Sequence, residues 1–198
     1  MDWQKVKRFL KKTWYFIWED NSLASWIVNV ILAFILIKFI VYPGIGWALG
    51  TTHPIVAVVS SSMEHDGNFE QWWAEQGAYY ENLGITKEQF QEFSFSNGFN
   101  KGDIMILFGE SPEKLKVGDV AVYWSAANDP IIHRVIKKYD GRFETKGDHN
   151  SGQIISPMLD ETNISQNRFI GKAVFRIPFL GWVKIEFVSL LQLVGIIK

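Results

Sequence analysis

Between Leu23 and Gly50 the chain carries a single charge, Lys38. The centre of this run reads Trp26-Ile-Val-Asn-Val-Ile-Leu-Ala-Phe-Ile-Leu-Ile-Lys-Phe-Ile-Val-Tyr42. A continuous helix from Trp26 to Trp47 is about 31 Å long, close to one hydrocarbon thickness. Trp14, Trp18 and Trp26 on one side and Tyr42 and Trp47 on the other have the distribution of interfacial aromatic belts. Helices inside soluble domains rarely stay apolar for this length, so residues 23–50 are read as a transmembrane helix rather than a buried core helix. Pro43-Gly44 is expected to end or kink it near Tyr42, and Lys38 then snorkels outward. The run is too long for a cleavable secretory signal, and no small-x-small site follows it closely.

Lys5, Lys7, Arg8, Lys11 and Lys12 precede the span. The positive-inside rule puts the N-terminus in the cytoplasm and everything after Gly50 outside. Residues 1–22 interleave these charges with Trp3, Phe9, Leu10, Trp14 and Ile17, which reads as a membrane-surface helix; a solvated basic helix is the plainer alternative. The lipid bilayer is therefore an expected partner. Nucleic acid is not, because 20 Lys+Arg against 21 Asp+Glu leave a formal net charge of -1. The absence of cysteine excludes disulfides, thiolate zinc sites and a cysteine nucleophile. No H-E-x-x-H occurs, which removes the main sequence signature of a zinc hydrolase.

Residues 51–198 are long enough for one domain with its own core. Short runs rich in β-branched and aromatic residues, bounded by Gly, Asp, Asn or Pro, predict strands over 55–59, 103–108, 119–124, 131–137, 142–145 and 169–175. Asp140-Gly141 is a strong hairpin signal. The expected fold class is mainly β, an antiparallel β domain anchored by the N-terminal transmembrane helix. Residues 66–101 break the pattern. Asn68-Phe-Glu-Gln71 and Thr86-Lys-Glu-Gln89 are capping boxes that predict two short helices joined at Leu83-Gly84. This helical insertion holds six acidic residues against two lysines, a net charge of -4. A lid and a partner surface are both open to it, but a cover for an exposed face of the core is favoured. Residues 187–197 are apolar but too short to span a bilayer, and read equally as an interfacial segment or a last core element.

Three segments hold residue types suited to chemistry. Ser60-Ser61-Ser62-Met63 follows an apolar strand; a serine hydroxyl is a weak nucleophile and needs a base within hydrogen-bond reach. His133 lies in Pro130-Ile-Ile-His-Arg-Val-Ile136, where alternation puts it opposite Ile132 and Arg134. An imidazole, with an ordinary pKa near 6.5, suits a general base. Lys146-Gly-Asp-His-Asn150 ends another strand; an acid there can hold an imidazole in one tautomer. Each segment alone has a bland reading, as a turn or as a core histidine.

Their order is more specific. Ser60-Ser-Ser-Met-Glu64, Lys101-Gly-Asp-Ile-Met105, Lys116-Val-Gly-Asp-Val-Ala-Val-Tyr123, Ile132-His-Arg-Val135, Thr145-Lys-Gly-Asp-His-Asn150 and the run Ile170–Trp182 occur in sequence. In this the chain resembles the membrane-bound type I signal peptidases, in their archaeal and endoplasmic-reticulum branch. The resemblance covers nearly all of residues 50–184 apart from the insertion. It implies a serine endopeptidase that removes signal peptides from secretory preproteins after small residues, without metal or organic cofactor. Its cell-membrane location would put the catalytic domain outside, and translocon or accessory subunits are open as partners. Ser62 would be the nucleophile, His133 the base and Asp148 the acid, with the Ser60 hydroxyl and the Ser62 N–H as the oxyanion hole. The short run from the span to Ser62 would keep the site near the bilayer surface. Three positions depart from the pattern. Ser61 replaces a glycine, His65 replaces a proline, and Ile154 stands where a second aspartate is usual. Asp160 and Glu161 therefore remain alternatives to Asp148. The rival reading is a non-catalytic membrane-anchored β module or inactive paralogue, which predicts the loss of a chemical residue.

Overall fold

The computed structural model describes residues 2–195 as two compact units, divided between Ala48 and Leu49. In the first, α1 (Trp3–Trp18) is capped by the Asp2 carboxylate, which accepts from the Gln4 N–H. A short turn leads to α2 (Leu23–Leu49), a helix long and apolar enough to cross a membrane. Ser22 caps it by accepting from the Ser25 N–H. The helix passes through Pro43 instead of ending at Tyr42. Pro43 has no N–H to give, and residues Ile37–Val41 just before it widen into a π-turn that absorbs the missing bond. Within α2 the Lys38 ammonium lies over the rings of Phe34 and Phe39.

The second unit is built on one curled antiparallel sheet of seven strands in the order β1-β2-β7-β3-β4-β5-β6. These are β1 (Ile55–Ala57), β2 (Ile104–Phe108), β3 (Val120–Trp124), β4 (Pro130–Tyr139), β5 (Arg142–Lys146), β6 (Ile164–Ser165) and β7 (Phe169–Ile177). Asp140-Gly141 makes the β4–β5 hairpin, with Gly141 at φ +72, a conformation in which a side chain would be strained. The two-residue β6 was not expected, being too short to leave a periodic signal. One face of the sheet buries Val58, Met63, Met105, Leu107, Val122 and Ile132. The other buries Tyr123, Val135, Phe143, Leu159 and Ile164. Alternation along β3 and β4 divides their side chains between the two faces. A bulge in β4 opposite β5, between Val135 and Lys137, turns Ile136 toward a third cluster.

That third cluster belongs to the helical insertion. α3 (Phe69–Glu81) and α4 (Lys87–Gln91) each begin with the expected capping box, Asn68 with Gln71 and Thr86 with Gln89. Trp72, Trp73, Tyr80, Ile85 and Phe90 pack on one another and on Ile136. The insertion thus covers a face of the β core. At the far end, α5 (Trp182–Leu193) buries none of its residues, so this stretch is not a core element; Ile196 and Ile197 of the apolar segment 187–197 lie outside the described residues.

Candidate active site

Ser62 sits in the turn that follows β1. Two anchors hold the turn: the Met63 side chain is fully buried in the core, and the Met63 carbonyl accepts from the Phe99 N–H. Glu64 secures its far side by accepting from the Lys101 N–H at 2.9 Å. Ser60 and Ser61 stay exposed, and the Ser60 hydroxyl is 3.1 Å from that of Ser62. The chain of the 147–150 turn closes over the same loop, with the His149 N–H donating to the Ser62 carbonyl at 2.9 Å.

His133 projects from β4, where it pairs with Ala121 of β3, and is 4% exposed. Its Nε2 lies 2.9 Å from Ser62 Oγ, and its Nδ1 lies 2.5 Å from Glu161 Oε1. Glu161 is completely buried. Its carboxylate also accepts from the Thr145 hydroxyl at 3.0 Å and the Ile154 N–H at 2.6 Å. Thr145 in turn meets the Tyr123 hydroxyl at 2.7 Å. A carboxylate at Nδ1 can only accept, so the proton sits there and Nε2 is left to accept from the Ser62 hydroxyl. The line Ser62–His133–Glu161 thus has the geometry in which an imidazole, oriented by a carboxylate, can take the proton of a serine hydroxyl. Burial, followed by the Glu161 charge, pushes the Tyr123 phenol up, which keeps it a neutral donor.

Asp148 does not meet His133. Its carboxylate takes a fork of bonds from Arg134, Nε to Oδ1 at 2.9 Å and a terminal nitrogen to Oδ2 at 2.7 Å. It also accepts from the Tyr80 hydroxyl at 2.8 Å and faces His65 Nε2 at 3.1 Å. Burial alone would raise this carboxyl; the Arg134 guanidinium and the His65 contact outweigh it and hold Asp148 well below the usual carboxylate range. The acid expected from the Gly-Asp block is therefore committed to a buried ion pair, out of contact with the imidazole. Asp160 is also elsewhere, accepting from the N–H and hydroxyl of Thr162.

The geometry of residues 154–161 explains why Glu161 stands at His133. Ser156 and Leu159 close a turn through two bonds of the Ser156 side chain and one from its N–H, and Ile155 pairs with Asp160 across it. Glu161 then lies opposite Ile154, donating its N–H to the Ile154 carbonyl. A carboxylate from position 161 thereby enters the space beside position 154. Ser156-Pro157 was the one local sign of such a fold-back. Gly147 bears on the pair as well, though the sequence marks it only as part of a turn. A Cβ there would stand 2.8 Å from the Ser62 carbonyl and 3.0 Å from His133 Nε2, so only glycine leaves the pair in contact.

Lys146 lies beneath this region, its ammonium donating to the Gly147 carbonyl and lying over the Tyr79 and Tyr80 rings. Burial pushes it down to about 8, against the pull of Asp148 and Glu161. Among the described residues no group of His, Asp and Glu could hold a metal ion.

No family model matches the chain. Individual proteins do. Over 182 residues it is 27% identical to the signal peptidase complex catalytic subunit sec11 of Pyrenophora teres f. teres, spanning 84% of this chain and 82% of that protein. The protein of the same name from Sclerotinia sclerotiorum is 26% identical over 184 residues, 86% of this chain and 84% of its own length. A shorter match, 32% identical over 99 residues, links 46% of the chain to 59% of the SEC11 subunit of Lodderomyces elongisporus. The antiparallel β fold, the apolar N-terminal helix and the ordered sequence blocks agree with this likeness to signal peptidase catalytic subunits.

Proposed function

We propose that this protein is a membrane-anchored serine endopeptidase that cleaves signal peptides from secretory preproteins, with Ser62, His133 and Glu161 as its catalytic residues. The observation that carries the reading is the hydrogen-bonded line from Ser62 Oγ through both ring nitrogens of His133 to a buried carboxylate. Ser62 Oγ attacks the scissile carbonyl carbon while His133 Nε2 takes its proton. Glu161 stabilises the imidazolium without itself being protonated. The tetrahedral oxyanion is held by the Ser62 N–H and the Ser60 hydroxyl, which turns from Ser62 Oγ toward the new charge. His133 returns the proton to the departing amine, leaving an ester on Ser62. A water deprotonated by His133 then attacks the ester carbonyl, the bond to Ser62 Oγ breaks, and His133 returns the proton to that oxygen, freeing the acid product and restoring the serine. No step calls on a metal or organic cofactor.

The substrate is an extended segment with small residues at the cut, carried by a preprotein whose own apolar segment occupies the same bilayer. The five basic residues before α2 support a cytoplasmic N-terminus and a β domain on the far side of the exporting membrane. The relatives' names, as subunits of a complex, support accessory subunits as partners. The test is cleavage of a purified preprotein by the full chain in lipid nanodiscs, with sequencing of the new N-terminus. Wild type is expected to cut after a small residue and Ser62→Ala to leave the preprotein intact. Cleavage by Ser62→Ala would overturn the serine mechanism. An inert wild-type protein that still binds the preprotein would instead favour a non-catalytic β module.

A further inference from the structure

The α1 helix has two faces of opposite chemistry. At about 100° per residue, Trp3, Val6, Phe9, Leu10, Trp14, Phe16 and Ile17 fall in one continuous arc. Lys5, Lys7, Arg8, Lys11 and Lys12 fall in the other, joined by Tyr15 and Trp18 near the C-terminal end. The apolar arc is not spent on protein packing. Val6, Phe16 and Ile17 are partly covered, but Trp3, Phe9, Leu10 and Trp14 are each more than half exposed, and α1 buries none of its residues. Exposed aromatic and aliphatic side chains in a row need an apolar environment.

Two side chains of α2 fix where that row lies. The Ser25 hydroxyl donates to the Phe16 carbonyl at 2.5 Å, and the Asn29 amide donates to the Ile17 carbonyl at 2.8 Å. Both carbonyls belong to the last turn of α1, where no further helical N–H remains to satisfy them. The bonds therefore cap α1 and clamp its end against the first two turns of α2. Those turns begin the span, at Leu23–Trp26, so α1 leaves the protein at the level where the span enters the lipid.

We infer that α1 is a docking surface for the anionic lipids of the leaflet in which α2 begins. Trp3, Phe9, Leu10 and Trp14 enter the boundary between headgroups and acyl chains. Lys5 and Lys7, at the two edges of the apolar arc, reach lipid phosphates, and Arg8, Lys11 and Lys12 add to the attraction from the water side. Continuity with the span selects a bilayer over a soluble protein partner, and the five cations select its anionic lipids. The inference does not depend on the chemistry assigned to Ser62.

The chain has no cysteine, so single cysteines can be introduced without competition. The full-length protein is reconstituted in vesicles of phosphatidylcholine with about one third phosphatidylglycerol, carrying an environment-sensitive fluorophore at Leu10→Cys or at Lys11→Cys. The label at position 10 is expected to be shielded from a water-soluble quencher and quenched by doxyl-labelled lipid, with the reverse at position 11. Equal access of the aqueous quencher to both positions would overturn the inference. Shielding at position 10 without quenching by doxyl lipid would overturn it too, since another protein surface would then be the cover. In phosphatidylcholine alone, or with the five basic residues changed to glutamine, the shielding at position 10 is expected to fall severalfold. Undiminished shielding in both would overturn the choice of anionic lipid.

Discussion

Two buried carboxylates lie near the candidate dyad, and their environments divide the tasks between them. Glu161 touches the His133 imidazole, so on the proposed mechanism Glu161→Gln should cut the cleavage rate by about 10⁴-fold through loss of the required tautomer, with native-like thermal unfolding. Asp148 touches Arg134 instead, so Asp148→Asn should act first on stability. It strands a buried guanidinium, at a cost of about 3–5 kcal/mol. The sign of the pH dependence follows from the depressed Asp148 carboxyl. Its contribution is present above the ordinary aspartate value of about 3.9 and is lost as pH falls toward its lower native value. The difference in thermal midpoint between wild type and Asp148→Asn should therefore narrow below about pH 4. A pH-independent difference would mean that the ion pair does not set the effect. Gly147→Ala offers a third contrast. Its added methyl meets the Ser62 carbonyl and His133 Nε2, so it should lower the rate by about 10²-fold or more through misplacement of the pair.

The insertion is fastened to the site by polar contacts as well as aromatic ones. His65 stacks on Trp72 with ring centroids 3.7 Å apart while facing Asp148, and the Trp72 indole N–H donates to the Asp148 carbonyl. Arg134 lies under Phe90, 4.6 Å from its ring centre, and donates to the Ser94 and Phe95 carbonyls. Tyr80 supplies a further bond to Asp148, and burial followed by the Asp148 charge raises its phenol well above its ordinary range, so it remains a donor. Helices α3 and α4 thus complete the surroundings of an ion pair that β4 and the 147–150 turn begin. Trp72→Ala should destabilise the β unit by about 3–5 kcal/mol, read as a fall in its thermal midpoint. If the insertion were an independent lid, that substitution would alter cleavage while the midpoint stayed fixed.

At the scale of the molecule, the proposed function assigns anchoring to one unit and chemistry to the other. All of the residues named for catalysis fall within residues 49–195, whereas the five basic residues of α1 and all but the last residue of the long apolar helix fall within residues 2–48. The orientation proposed above makes a simple prediction. Protease added to the outside of sealed cells should cut the chain beyond Gly50 and spare an epitope placed before Lys5. Protection of the β unit with exposure of the N-terminal epitope would reverse the proposed topology.

What the sequence determined by itself was local or ordered along the chain. The apolar length of α2 reports a membrane helix because hydrocarbon thickness sets helix length. The capping boxes at Asn68 and Thr86, and Asp140-Gly141 at the hairpin, specify their turns through bonds and backbone angles made within a few residues. The strands around Ser62 and His133 were legible from alternation, and the meeting of those two residues was expected only from the order of the blocks. The partner of His133 was not legible. Asp148 and Glu161 are both acidic residues in loops after strands, and the one local sign that separates them is the Ser156-Pro157 turn before Glu161. Tertiary structure decided between them: Arg134, on the strand face opposite His133, draws Asp148 away, while the turn at residues 156–159 brings Glu161 across from Ile154 to the imidazole. An ion pair and a fold-back join residues distant in the chain, and their geometry exists only once the sheet has curled and the insertion has closed on it.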